Sequence, residues 1–129
     1  MNKREASVLE QSAVQSQSCV WDYSQDGGAT GTYSFGAMLP ANSVITAVYA
    51  DEQSNVTSGG AATLKLQAGS TDLTGAVAYT AFAGVTAPAL AGSAAAIKLS
   101  ADSELKMALA AAAATAGKIK FTVFYYSSK

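Results

Sequence analysis

The chain reads as an all-β protein, an antiparallel β-sandwich that is jelly-roll-like, with about eight strands behind an N-terminal arm. Two observations lead there. Short runs with apolar groups at every second position recur along the chain, and Gly, Pro, Asn and Asp punctuate them. The one stretch with the composition of a helix, ELKMALAAAAATAG from Glu104 to Gly117, has the wrong period for one.

The 129 residues fit a single domain. Residues 1–17 stand apart, with Lys3, Arg4, Glu5 and Glu10 followed by a Gln/Ser run. Val8, Leu9, Ala13 and Val14 offer one apolar face of a short helix that would be marginal alone. The segment is either a frayed tail or an arm that docks on a partner. Residues 18–129 form the sandwich.

Cys19-Val-Trp-Asp-Tyr23 is β-prone and ends at the turn signal Gln25-Asp-Gly-Gly28. Gly31–Phe35 alternates, with Tyr33 and Phe35 on one face. Leu39-Pro-Ala-Asn42 is a break, because proline has no amide hydrogen for a central ladder. Ser43–Ala50 is rich in branched residues and reads as a strong strand. Asp51–Gly60 is polar, ends in Gly-Gly and reads as a loop.

Ala62–Gln67 alternates again, with Leu64 and Leu66 on one side, and Gly69–Asp72 follows as a turn. Leu73–Ala81 is a weaker extended segment. Phe82–Gly92 is mostly loop. Ala95–Ser100 reads as a strand. In Leu105-Lys-Met-Ala-Leu109 a strand puts Leu105, Met107 and Leu109 on one face, whereas a helix would throw Met107 to the far side. The period favours a strand over 104–110, although alanine favours helix; the alternative is one or two helical turns within Ala108–Ala116. After Gly117, Ile119, Phe121, Val123 and Tyr125 face one way; Lys120, Thr122, Phe124 and Tyr126 face the other. The two runs read as an antiparallel pair.

Composition excludes most chemistry. There is no histidine, hence no Ser-His-Asp or Cys-His arrangement. The single cysteine, Cys19, cannot form an intrachain disulfide or a usual zinc site, and beside Val20 and Trp21 it reads as a small buried apolar residue. The absence of a disulfide suits assembly in a cytoplasm. Asp22 with Asp26 and Asp51 with Glu52 are near neighbours, but nine acids among eight bases is ordinary solvated surface. No catalytic residue, cofactor site or metal site is expected. Scattered lysines and a lone arginine argue against nucleic acid, and no run of about 18 apolar residues is present to span a membrane. Charged residues make up 13% of the chain, half the usual share, which suits a protein packed among neighbours.

The aromatics have two readings. They form a sugar-binding platform, or they fill the core and a subunit interface. The last strand is informative because it carries rings on both faces. Phe124 and Tyr126, opposite the core face, are the candidate subunit interface.

The stretch FGAMLPANSVITAVYADEQSNVTSGGAATLKLQAG and the closing TAGKIKFTVFYYS resemble segments of small structural proteins of tailed bacteriophages. The resemblance is to head decoration and head-fibre proteins and covers residues 31–69 and 94–127; 70–93 matches poorly. It implies a non-enzymatic β-sandwich protein of the virion, assembled in the host cytoplasm. Such a protein would decorate the outer capsid surface, as cement or head fibre, as a homotrimer bound to the major capsid protein. It implies that the arm, with Lys3, Arg4, Val8 and Leu9, anchors the protein to the lattice. The aromatics and the polar segments 51–60 and 82–93 support a different expectation, a carbohydrate-binding or receptor-binding module of a phage tail or fibre.

Overall fold

The computed structural model describes residues 13–128. Ten strands form among them: β1 (Gln15–Asp22), β2 (Gly31–Leu39), β3 (Ser43–Ser58), β4 (Thr63–Ala68), β5 (Thr71–Asp72), β6 (Val77–Ala78), β7 (Val85–Thr86), β8 (Ile97–Lys98), β9 (Ser103–Ala110) and β10 (Ala114–Ser127). One helical turn, α1 (Tyr23–Asp26), follows β1, and 3-10 turns occupy Tyr79–Phe82 and Ala91–Ser93.

The strands make two antiparallel sheets. Sheet A runs β1-β10-β3, and the short β7 and β8 both pair with the outer side of β3. Sheet B runs β2-β9-β4, and the short β5 and β6 both pair with β4. Taking each short pair as one interrupted strand leaves the eight-strand winding of a jelly roll, in which successive strands cross between sheets.

The core lies between the sheets. Ile119, Phe121, Val123 and Tyr125 of β10 are all buried, as are Leu105, Met107 and Leu109 of β9 and Leu64 and Leu66 of β4. Period-two alternation alone identified these positions. Trp21 is fully buried at the end of β1 and satisfies its indole N–H on the Gly27 carbonyl at 3.2 Å. Phe82, held in a 3-10 turn, meets Phe121 edge to face with centroids 6.2 Å apart.

The alanine-rich stretch is two strands joined by a turn. The Ala112 amide hydrogen-bonds to the Ala110 carbonyl, and Ala111 takes φ +71. The alternative of helical turns within Ala108–Ala116 is thereby corrected: both flanks find ladder partners, which outweighs the helix propensity of alanine.

The expected loop Asp51–Gly60 is also corrected, since β3 continues to Ser58. Its polar half pairs with the alanine end of β10 in a bulged ribbon. Hydroxyls fasten it: Ser58 donates to the Ala113 carbonyl at 2.7 Å, and Thr57 and Thr115 share a hydrogen bond of 2.7 Å. Gly117, at φ +130, lies so close to Val56 that a Cβ there would sit 2.7 Å from the Val56 Cα. The expected strand Ala95–Ser100 shrinks to Ile97–Lys98, because β3 offers it only Val44 and Ile45 as partners. At the other end, β1 opens at Gln15, so Gln15, Ser16 and Gln17 of the anticipated arm pair with Tyr125, Phe124 and Val123.

Candidate assembly surface

The acids do not assemble into a reactive pair. Most accept hydrogen bonds from backbone amides. Asp22 accepts from the amide and hydroxyl of Ser24, Asp26 from the Asp22 amide, and Glu52 from the Val56 amide. Asp102 accepts from the Ala41 amide at 2.8 Å and Glu104 from the Gly36 amide at 3.0 Å. The Ser24 hydrogen bonds hold Asp22 below the usual carboxylate range, with Lys118 adding to the effect. Asp72 is lowered by the Gln67 amide and by Lys65. Both shifts favour the ionised carboxylate. Among the described residues, no three His, Cys, Asp or Glu side chains gather as metal ligands. Cys19 is buried, and desolvation pushes its thiol up to about 12, so it is a neutral packing group.

The notable surface is the outer face of sheet A. In β10 the outward residues are Lys120, Thr122, Phe124 and Tyr126, and those of β3 stand beside them. Thr122 is opposite Tyr49, Lys120 opposite Asp51 and Phe124 opposite Ala47. A bulge then slips the register, so that Tyr125 meets Ile45 and both stay in the core. Thr46, the extra residue, donates its hydroxyl to the Phe124 carbonyl at 3.3 Å. The ring of Phe124 meets that of Tyr49 edge to face at 5.5 Å. With Asp51, Val85, Lys120 and Thr122 these rings line an open groove of about 460 Å³.

Phe124 and Tyr126 are thus half-buried within their own chain. Phe124 belongs to the groove; Tyr126 lies beyond the bulge and is not among its lining residues. Lys3, Arg4, Val8 and Leu9 fall outside the described residues. The sequence reading missed Tyr49 and Val85 as surface residues. Tyr49 was within reach, because it alternates with Val48 and Ala50, which are both buried. Val85 was not, because its strand is two residues long.

A second groove, of about 380 Å³, lies between the far half of β3 and the turn at Tyr79–Phe82, lined by Asn55, Thr57, Tyr79 and Thr80 among others. Of the aromatics proposed as a sugar platform, Trp21, Phe82, Phe121 and Tyr125 are buried, whereas Tyr23 and Tyr49 are exposed.

No protein-family model and no curated protein matches the chain. Several solved structures match its fold. A chain in the acid-stable capsid structure of Helicobacter pylori bacteriophage KHP30 aligns with a TM-score of 0.65 and 11% identity, covering 92% of this chain and 91% of that one. One in the capsid asymmetric unit of cyanophage Pam1 gives 0.65 and 16% identity over 91% and 86%. One in the capsid of Ralstonia phage GP4 gives 0.67 and 19% identity, again over 91% and 86%. At these identities the likeness is one of fold, and it spans nearly the whole of each chain.

Proposed function

We propose that this chain is a structural, non-enzymatic component of a phage virion: a decoration protein, cement or head fibre, that sits on the outer capsid surface as a homotrimer. The observation that carries the reading is the sharing of a whole-chain jelly roll with chains of three phage capsid structures. Two features of the molecule support it. Most of the described acids are taken up by backbone amides rather than gathered into a reaction centre, and one sheet face bears the rings that a subunit interface uses. In this reading Tyr49, Phe124 and Tyr126 pack between subunits, and residues 1–12, with Lys3, Arg4, Val8 and Leu9, contact the major capsid protein.

The test is co-sedimentation of the purified full chain with heads of the phage that encodes it, alongside a chain lacking residues 1–12. Saturable binding by the full chain, weakened by the truncation, is expected. Failure of the full chain to bind heads contradicts the decoration role.

A second reading, carbohydrate binding, draws on the groove beside Tyr49, where an exposed ring stands next to Asp51, Lys120 and Thr122. It expects saturable glycan binding that Tyr49→Ala abolishes, and a flat response across a glycan array rejects it.

A further inference from the structure

We infer that the free edge of β1 pairs antiparallel with β1 of a second copy of this chain, about a twofold axis at Ser18. A sheet edge is a row of unpaired amides and carbonyls, and natural proteins blunt it by shortness, bulges, proline or charge. The other edges of this sandwich carry such devices. On the β3 and β4 sides the edge strands β5, β6, β7 and β8 have two residues each. Along β2 the register breaks between Ser34 and Met38, and Gly36 turns to φ +73.

The β1 edge has none of them. Its eight residues keep an unbroken register with β10, from Gln15 opposite Tyr125 to Asp22 opposite Lys118. The run QSQSCVW from Gln15 to Trp21 holds no charge and no proline. Among the described residues nothing pairs with its outer side.

The side each residue offers follows from one hydrogen bond. Asp22 gives its amide to the Asp26 carboxylate of α1 at 2.9 Å, so that amide points away from β10. Amide and carbonyl groups alternate sides along an antiparallel strand. Val20, Ser18 and Ser16 therefore turn theirs outward as well, and α1 closes the end of the free stretch.

These groups are self-complementary. Antiparallel pairing about Ser18 sets Ser18 opposite its counterpart and Val20 opposite Ser16 of the second copy, so that outward amides meet outward carbonyls. No like charges meet, because Asp22 falls opposite Val14. Two exposed apolar side chains lie on or just before the same strand: Val14 is 64% and Val20 39% accessible. The pairing carries sheet A across two chains and sets Val20 beside Ser16, and Val14 beside Asp22, of the second copy. It does not depend on the capsid reading. On a shell whose trimers occupy threefold axes, it would join one trimer to the next.

The test is cysteine crosslinking in the full chain. At the axis the two Ser18 Cα atoms would lie about 5.5 Å apart, as in a hydrogen-bonded antiparallel pair, and a disulfide spans that distance. Native Cys19 is buried and contributes no reactive thiol. Under mild oxidation Ser18→Cys is expected to form a covalent dimer at least about tenfold faster than Gln53→Cys, an exposed control elsewhere on the surface, because pairing raises the local concentration. Ser18→Pro removes an outward donor without touching the β10 ladder, and is expected to lower the mass seen by light scattering at high concentration while keeping a native circular dichroism spectrum. Crosslinking no faster than Gln53→Cys, or a folded Ser18→Pro protein with unchanged association, overturns the inference. A trimer without rapid Ser18→Cys crosslinking overturns the β1 pairing and keeps the trimer; a crosslinking protein that never exceeds a dimer does the reverse.

Discussion

The two sheets present opposite kinds of outer face. Sheet B turns Thr63, Lys65 and Gln67 outward from β4 beside Lys106 and Ala108 of β9, and Asp72 completes a polar cluster with Lys65 and Gln67. Met38 of β2, 51% accessible, is the one large apolar side chain of sheet B that stands exposed among the described residues. Sheet A turns Tyr49, Phe124, Tyr126, Val20 and Val85 outward. Both inner faces are apolar, so the core does not explain the difference. A protein that needed only to fold would have had two faces like that of sheet B. The rings on sheet A are the surface that the proposed trimer would bury.

Substitutions can break this comparison. The largest effect is expected in the core that both faces share. Phe121→Ala leaves a cavity beside Phe82 and is expected to cost about 3–5 kcal/mol, read as a lower midpoint in urea denaturation. Loss well below that would mean that the sandwich is loosely packed there.

On the outer face of sheet A, stability and association should separate. Phe124→Ala is expected to cost the fold about 0.5–1.5 kcal/mol, the worth of its contact with Tyr49, while abolishing the trimer in light scattering of dilute protein. An unchanged oligomer would place the interface elsewhere.

Cys19 sharpens the contrast from within β1. Its thiol is raised from about 9 to about 12 by burial. The folded state therefore holds a proton that the unfolded chain loses first. This contribution to stability is full below pH 9 and is lost as pH rises from about 9 through about 12. Cys19→Ala is expected to flatten that stretch of the stability–pH curve, and a thiol reagent at pH 8 is expected to react with the native protein only after urea is added.

The smallest effect belongs to sheet B. Lys65→Gln breaks an exposed ion pair of 3.3 Å and is expected to change stability by about 0–1 kcal/mol with no change in mass. A change in oligomer size would put an interface on the face that looks finished.

Much of the fold was legible because alternation is a strong signal wherever one face is dry. Leu105, Met107 and Leu109 outvoted a run of alanines, and the four core residues of β10 stood out by position alone. The far half of β3 was not legible. Its residues Gln53, Ser54 and Asn55 are exposed, so no apolar period marks them, and the ribbon exists because β10 supplies distant partners, Lys118 to Ser54 and Ala114 to Ser58. The two-residue strands β7 and β8 fail for the same reason: their pairing is decided by β3, not by their own residues. Of the candidate surface, Phe124 and Tyr126 were visible because they oppose a core face. Tyr49 and Val85 joined them only through the register.

The most direct measurement is the mass of the purified full chain in dilute solution by light scattering, compared with the Phe124→Ala variant. The proposed trimer predicts three times the 13.0 kDa chain mass for the native protein and a single chain for the variant. A native protein that stays at 13.0 kDa at every concentration would contradict it.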